Sequence, residues 1–224
     1  MMNARALLLI LVITPFVSCR NDKEERATKG AEYFPIKIGT VKIYNVDTIN
    51  YNPFNLTVDT ISHEIREEVV EMFTDAAQDT VYRVELSTWS TSKSMWIPFR
   101  SFLRKIKDNY AIETMENVEE VKLLFPIAQY KTKGSNYVWN MNMFNAREPV
   151  MVKYTSVFSS YFNGIRGFND CVSVKLSKPL TGRVNDVREE VYAKDIGLVY
   201  RFRDSTDNLN LDTTSGRKII IRLK

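Results

Sequence analysis

The chain has 224 residues, is 44% hydrophobic and 12% aromatic, and carries a formal charge of +4. That is enough apolar material for a sizeable core and excludes a disordered chain. The bases are interleaved with acids and form no basic stripe, which excludes nucleic acid as a partner, and two cysteines exclude a disulfide-stapled fold.

The chain opens Met1-Met2-Asn3-Ala4-Arg5, runs apolar from Ala6 to Ile13, and reaches Phe16-Val17-Ser18-Cys19. A membrane-spanning helix needs about 20 apolar residues, and Thr14 and Pro15 cut this run short. A short basic head, an apolar stretch and a small residue before a cysteine resemble a bacterial lipoprotein signal. The resemblance implies cleavage before Cys19, acyl chains on Cys19, and the membrane as a partner. Each buried methylene contributes about 0.8 kcal/mol, so two or three chains hold firmly. Residues 1–18 are read as the signal, 19–32 as a charged, flexible tether, and 33–224 as one β-rich domain. Lys23-Glu24-Glu25 is similar to the Lys-acid-acid run that sorts some Bacteroidota-type lipoproteins to the outer face of the outer membrane; a solvated linker accounts for the same residues. The expected location is the cell envelope, at the outer membrane, with the periplasmic and surface faces both open.

Strand signals dominate the rest of the chain. Residues 41–46, 81–86, 171–176, 190–193, 198–202 and 219–223 are rich in β-formers or alternate apolar and polar. Asn52-Pro53, Thr74-Asp75, Gly134-Ser135-Asn136, Gly164, Gly182, Asp195-Ile196-Gly197 and Ser215-Gly216 separate them as turns. Two stretches fit either period. Ile61, Ile65, Val69 and Phe73 recur at helical spacing, but a strand is favoured because 81 onward then returns as its hairpin partner. Phe99, Phe102, Leu103 and Ile106 make a similar stripe within 94–107. The expected fold is all-β and antiparallel, a strongly curved sheet or an open barrel or sandwich, with room for one helix. Phe34-Pro35-Ile36 ahead of Gly39 is echoed by Phe125-Pro126-Ile127 ahead of Gly134. This marks either two β halves with a boundary near 116–125 or a coincidence.

The opening Tyr33-Phe34-Pro35-Ile36, with Gly39 and Tyr44-Asn45-Val46-Asp47-Thr48-Ile49, resembles that of a group of uncharacterised Bacteroidota-type envelope lipoproteins. Phe168, Asp170-Cys171-Val172 and Tyr192-Ala193 through Ile196-Gly197-Leu198-Val199 are similar to their closing strands. Lys42 stands where that group usually has Trp. The resemblance implies a β-rich envelope lipoprotein and carries over no activity and no site.

The chemistry-bearing residues are sparse. His63 is the one histidine, no Gly-x-Ser-x-Gly elbow is present, and His and Cys are too few for a zinc site, so no catalytic residue, metal or cofactor is assigned. Glu67-Glu68, Glu119-Glu120 and Glu189-Glu190 are no evidence for a glycosidase-type carboxylate pair, since strand neighbours point to opposite faces, and they are expected to be solvated charges. Cys171 alternates with valines and reads as an inert buried thiol. Trp89, Trp96, Trp139, Phe99, Phe102, Tyr110, Tyr137, Phe144, Phe158, Tyr161 and Phe162 supply core, the lining of a cavity for a lipid, or a platform for sugar. Asp-Thr or Asp-Ser triplets recur around Thr48, Thr60, Thr80, Ser205 and Thr213. They resemble O-glycosylation sites of Bacteroidota-type exported proteins, or they open strands. Together these features point to a lipid-anchored envelope protein that is not an enzyme and binds an unknown protein or has a structural role. The alternatives are a carrier of lipid in an aromatic-lined β cavity and an envelope hydrolase.

Overall fold

A computed structural model describes residues 29–127, 138–145, 149–176, 184–209 and 212–224. Apart from a single 3-10 turn at Ala31–Tyr33, their regular structure is β. The strands are β1 (Val41–Tyr51), β2 (Val58–Thr74), β3 (Thr80–Ser90), β4 (Met95–Lys107), β5 (Tyr110–Met115), β6 (Val118–Leu124), β7 (Val138–Asn140), β8 (Met151–Phe162), β9 (Gly167–Leu176), β10 (Val184–Ala193), β11 (Gly197–Leu209) and β12 (Asp212–Leu223). Both ambiguous stretches are strands: 61–73 lies in β2 and 95–107 in β4. Val69 of β2 and Phe102 of β4 pack with Val84 of β3 between them, and this cross-strand packing outweighs the helical spacing.

All twelve strands share one sheet in the order β6-β5-β4-β3-β2-β1-β12-β11-β10-β9-β8-β7. The first and last strands of the chain therefore pair at its centre, with Tyr44 opposite Leu223 and Tyr51 opposite Gly216. Two six-strand meanders run outward from that pair, and the changeover falls after β6. The sheet curls into a nearly closed barrel, so its two edges face each other. They meet through single hydrogen bonds rather than a ladder. Val121 N donates to Met141 O at 2.7 Å, Trp139 Nε1 donates to Val121 O at 3.0 Å, and the Tyr154 hydroxyl contacts both Leu124 N and Leu124 O. These side chains satisfy backbone groups that an open edge would leave free.

One end of the barrel is plugged. Tyr33 and Phe34 join Phe125, Ile127, Trp139, Val172 and Tyr192 in the largest core cluster, with Ile36 packed against it. The echoed Phe-Pro-Ile segments thus fill the same space. Ile127 N donates to Lys29 O at 3.0 Å, and Asp195 N to Glu32 O at 2.7 Å. Gly30 sits at φ +114° where a Cβ would come within 2.8 Å of Ile127, and Gly197 at φ +86° lets the β10–β11 turn approach Pro35 and Lys42. A second cluster around Phe168, Cys171, Val191, Val199 and Leu223 is braced by Asn163. Its Nδ2 donates to Val199 O and Leu223 O, and its Oδ1 accepts from Ile165 N and Arg166 N. In a meander, alternate turns lie at opposite ends, so the tips at 52–57, 91–94 and 116–117 rim the unplugged end.

Truncating the plug should be costly. Phe34→Ala is expected to lower unfolding free energy in urea by about 3–5 kcal/mol, whereas Phe54→Ala, at a hairpin tip 95% exposed, should leave the midpoint unchanged.

Candidate binding site in the charged lumen

The barrel interior above the plug is charged. Arg104 on β4 is 6% exposed and Glu67 on β2 is 5% exposed. They form a bidentate pair, Nη1 to Oε1 at 2.8 Å and Nη2 to Oε2 at 2.9 Å. The same guanidinium donates through Nε and Nη2 to Glu113 Oε2 on β5, both at 3.1 Å. Glu113 faces Arg201 on β11 at 3.5 Å, and Arg201 Nε lies 2.8 Å from Glu190 Oε1 on β10. Lys122 on β6 closes the chain, 2.9 Å from Glu190 and 2.8 Å from Glu120. Tyr192 donates its hydroxyl proton to Glu190 Oε2 at 2.5 Å. Lys42 on β1 pairs in register with Glu67. The chain crosses from one meander to the other through four carboxylates and four cations.

The electrostatics follow from that pairing. Burial raises Glu190, but Arg201, Lys122 and the Tyr192 hydroxyl outweigh it and hold the carboxyl at about 2. Burial likewise opposes the charge of Arg104, and Glu67 and Glu113 override it; Glu67 in turn is held below its ordinary value, mainly by Arg104. Lys42 differs: burial pulls it down to about 8, against Glu67 and with the help of Arg104.

The charge chain divides the lumen. Toward the plug lies a cavity of only about 10 Å³ bordered by Phe34, Pro35, Lys42, Arg104 and Tyr192. Toward the open end lies one of about 470 Å³, with Glu113, Lys122, Glu190 and Arg201 joined by Arg100, Lys175, Arg188 and Arg203, and by Met115, Met141, Val152 and Val174. Such a volume suits a small organic ligand.

The expectation that the paired acids are all solvated is corrected here. Glu67 and Glu190 point inward and are buried, while Glu68 pairs with Arg66 and Glu189 with Lys175, both partly exposed. Alternation puts one acid of each of these two pairs on the inner face, and that face is charged. A sequence signal did exist. Ile65-x-Glu67-x-Val69 and Ala111-x-Glu113-x-Met115 each set one charge between apolar residues on one strand face.

The aromatic residues divide between core and surface. Trp89 and Trp96 stack edge to face at 5.6 Å on the β3–β4 hairpin, with Trp89 47% exposed. Phe99 and Phe144 are exposed, Phe102 and Trp139 are core, and Tyr110 packs on Phe144; Tyr137 lies outside the described residues. No tryptophan lines a described cavity, because these rings close the barrel edge or sit outside it.

His63 is exposed on β2. Its neighbour Ser62 donates to Asp47 Oδ1 at 2.6 Å, and Asp47 also pairs with Arg222. Ser62 and His63 are strand neighbours on opposite faces, so the three do not align as a triad. Among the described residues no group of three or more His, Cys, Asp or Glu could hold a metal ion. Cys171 is buried, and burial pushes its thiol up to about 11. Of the triplet hydroxyls, Thr60, Thr80 and Ser205 are exposed, and Thr48 and Thr213 are half-buried; Thr213 donates to Asn208 Oδ1 at 3.0 Å. Cys19 lies outside the described residues.

No protein-family model matches this sequence, and no curated protein matches it. Two solved structures are similar in chain course. One is a provisionally assigned lipoprotein from Parabacteroides distasonis, with 12% identity, a TM-score of 0.44, and 85% of this chain and 96% of that one covered. The other is a provisionally assigned exported protein with a YmcC-like fold from Bacteroides fragilis, with 10% identity, a TM-score of 0.39, and 85% and 97% covered. At these values no residue correspondence passes to the lumen.

Two outcomes test the charge chain. Arg104→Leu leaves Glu67 and Glu113 buried without their shared cation and should cost about 3–5 kcal/mol in urea unfolding. Arg66→Leu, which breaks the partly exposed pair with Glu68, should cost under about 1 kcal/mol. In pH titration, the depressed Glu190 contributes stability that is present above its unfolded value near 4.3 and lost as pH falls toward 2. Lys42 acts in the opposite sense: below about 8 its buried charge weakens the fold, so stability should rise from there until tyrosines ionise near pH 10. Lys42→Met should flatten that rise in chemical denaturation at stepped pH.

Proposed function

We propose that this chain is a lipid-anchored protein of the bacterial cell envelope that binds a ligand or partner and does no chemistry on it. The observation that carries the reading is the ion-paired state of the lumen. Glu190, at about 2, is too weak a base to take a proton at neutral pH, and Arg104 and Glu67 lock each other in the charged state. General acid–base work needs a group poised near the working pH. A hydrolase built on these carboxylates would therefore have to break its own scaffold first.

Geometry supports the anchor as well. The described chain begins at Lys29 beside Ile127, at the plugged end. Lys29 lies ten chain steps beyond Cys19, a span of at most about 35 Å. An acylated Cys19 would hold the plugged end toward the bilayer and leave the cavity mouth facing away. The outer membrane is the membrane this reading favours, on the strength of Lys23-Glu24-Glu25.

Cys19→Ser should shift the protein from the membrane pellet to the soluble fraction after a high-salt wash, or leave it unprocessed. Retention of the variant in washed membranes would refute the anchor. Protease shaving of intact cells separates the faces: digestion indicates the cell surface, full protection the periplasm.

A further inference from the structure

The large cavity has a surplus cation at its mouth. Arg188 on β10 and Arg203 on β11 are direct cross-strand partners, and like charges placed so are destabilising. Arg188 has a carboxylate of its own, Asp186, at 3.2 Å. Lys122, Lys175 and Arg100 are likewise matched by Glu190, Glu189 and Glu116. Arg203 forms no ion pair or hydrogen bond with the described residues; burial and the positive charges of Arg188 and Arg217 oppose its own charge and outweigh the carboxylates of Asp186 and Glu120. Deeper in, Arg201 Nε is buried and lacks an aligned hydrogen-bond acceptor despite its nearness to Glu190. The cavity thus offers guanidinium donors at the mouth and an unfilled donor at the floor. Beside them stands an apolar wall that includes Met115, Met141 and Val152.

We propose that this cavity binds a small organic anion, with its carboxylate or phosphate on Arg203 and Arg188 and its body against that wall. The inference rests on the binding reading above and gives it a ligand class. Guanidinium groups bind both oxyanions in a bidentate fork, so the chemistry is shared and the source is left to experiment. An anion between the two guanidiniums would also offset the repulsion that the β10–β11 register imposes.

The test uses the full-length chain in detergent at low salt, with glucose 1-phosphate, glucuronate and glucose as probes in isothermal titration calorimetry. Binding of one or both anions but not of glucose is expected, and the preferred anion identifies the oxyanion. Arg203→Gln should weaken that binding by about tenfold or more. Its unfolding midpoint without ligand should stay level or rise, because a repulsion is removed; a purely structural arginine would give a fall. Arg188→Gln provides the same reading should Arg203→Gln not fold, and Arg66→Gln on the outer face should bind as the parent does. Absence of anion binding below about 10 mM, equal binding by the Arg203 and Arg188 variants, or equal binding of glucose would overturn the proposal. None of these outcomes bears on the anchor, which Cys19→Ser decides separately.

Discussion

The bidentate clasp of Arg104 on Glu67, with Glu113 on its other side, is the constraint around which the barrel is organised. A guanidinium and two carboxylates this deeply buried are tolerable only if every member is present and aligned. Each comes from a different strand, so the clasp ties β2, β4 and β5 to one another, and Arg201 extends the tie to β11. A one-residue slip of β4 would turn Arg104 to solvent and leave both acids stranded inside. The net stabilisation from such a chain is small, but its power to exclude other registers is large.

The same requirement explains the unequal filling of the two ends. Charged groups must be held at ion-pair distance, and side chains that long keep opposite walls of the sheet apart. Below the chain, where Phe34, Phe125, Ile127 and Trp139 meet, the barrel is packed with rings and branched aliphatics. Closure follows the same logic. The edges of β6 and β7 cannot zip into a ladder, and Trp139 and Tyr154 reach across to single carbonyl and amide groups instead. A sheet that needs side chains to close it tolerates polar groups within it.

Much of this was legible in the sequence, and the lapses share one cause. Strands and turns were readable because alternation and Gly, Asn and Asp punctuation act locally. The all-β class and the strand character of 61–73 follow from those signals alone. Cys171 was readable as buried because valines alternate with it. The pairing of β1 with β12 was not, since register between chain ends is set by closure and leaves no local trace. The burial of Glu67 and Glu190 runs against the expectation because a charge in a strand is ordinarily solvated, and Glu113 carries no signal of its own as an acid pair. Only the apolar residues two positions on either side mark the difference, as at Ile65 and Val69 around Glu67. The Phe-Pro-Ile echo was visible, but that both copies enter one plug is a fact of packing.

The unequal filling bears on why the upper cavity exists. Interiors are close-packed where packing is available, and the plugged end shows that this chain packs well. An unfilled space of about 470 Å³ above the charge chain is therefore not a failure to supply apolar residues. Met115, Met141, Val152 and Val174 stand at its wall. Instead β10 and β11 set Arg188 opposite Arg203, which costs stability wherever the pair lacks a counter-ion. The carboxylates nearby are already engaged: Asp186 with Arg188, Glu120 with Lys122, Glu189 with Lys175. A fold that pairs the charges in its floor and, among the described residues, leaves Arg203 unmatched at its mouth has separated the two tasks. The floor specifies the register, and the mouth holds the residual field for whatever enters.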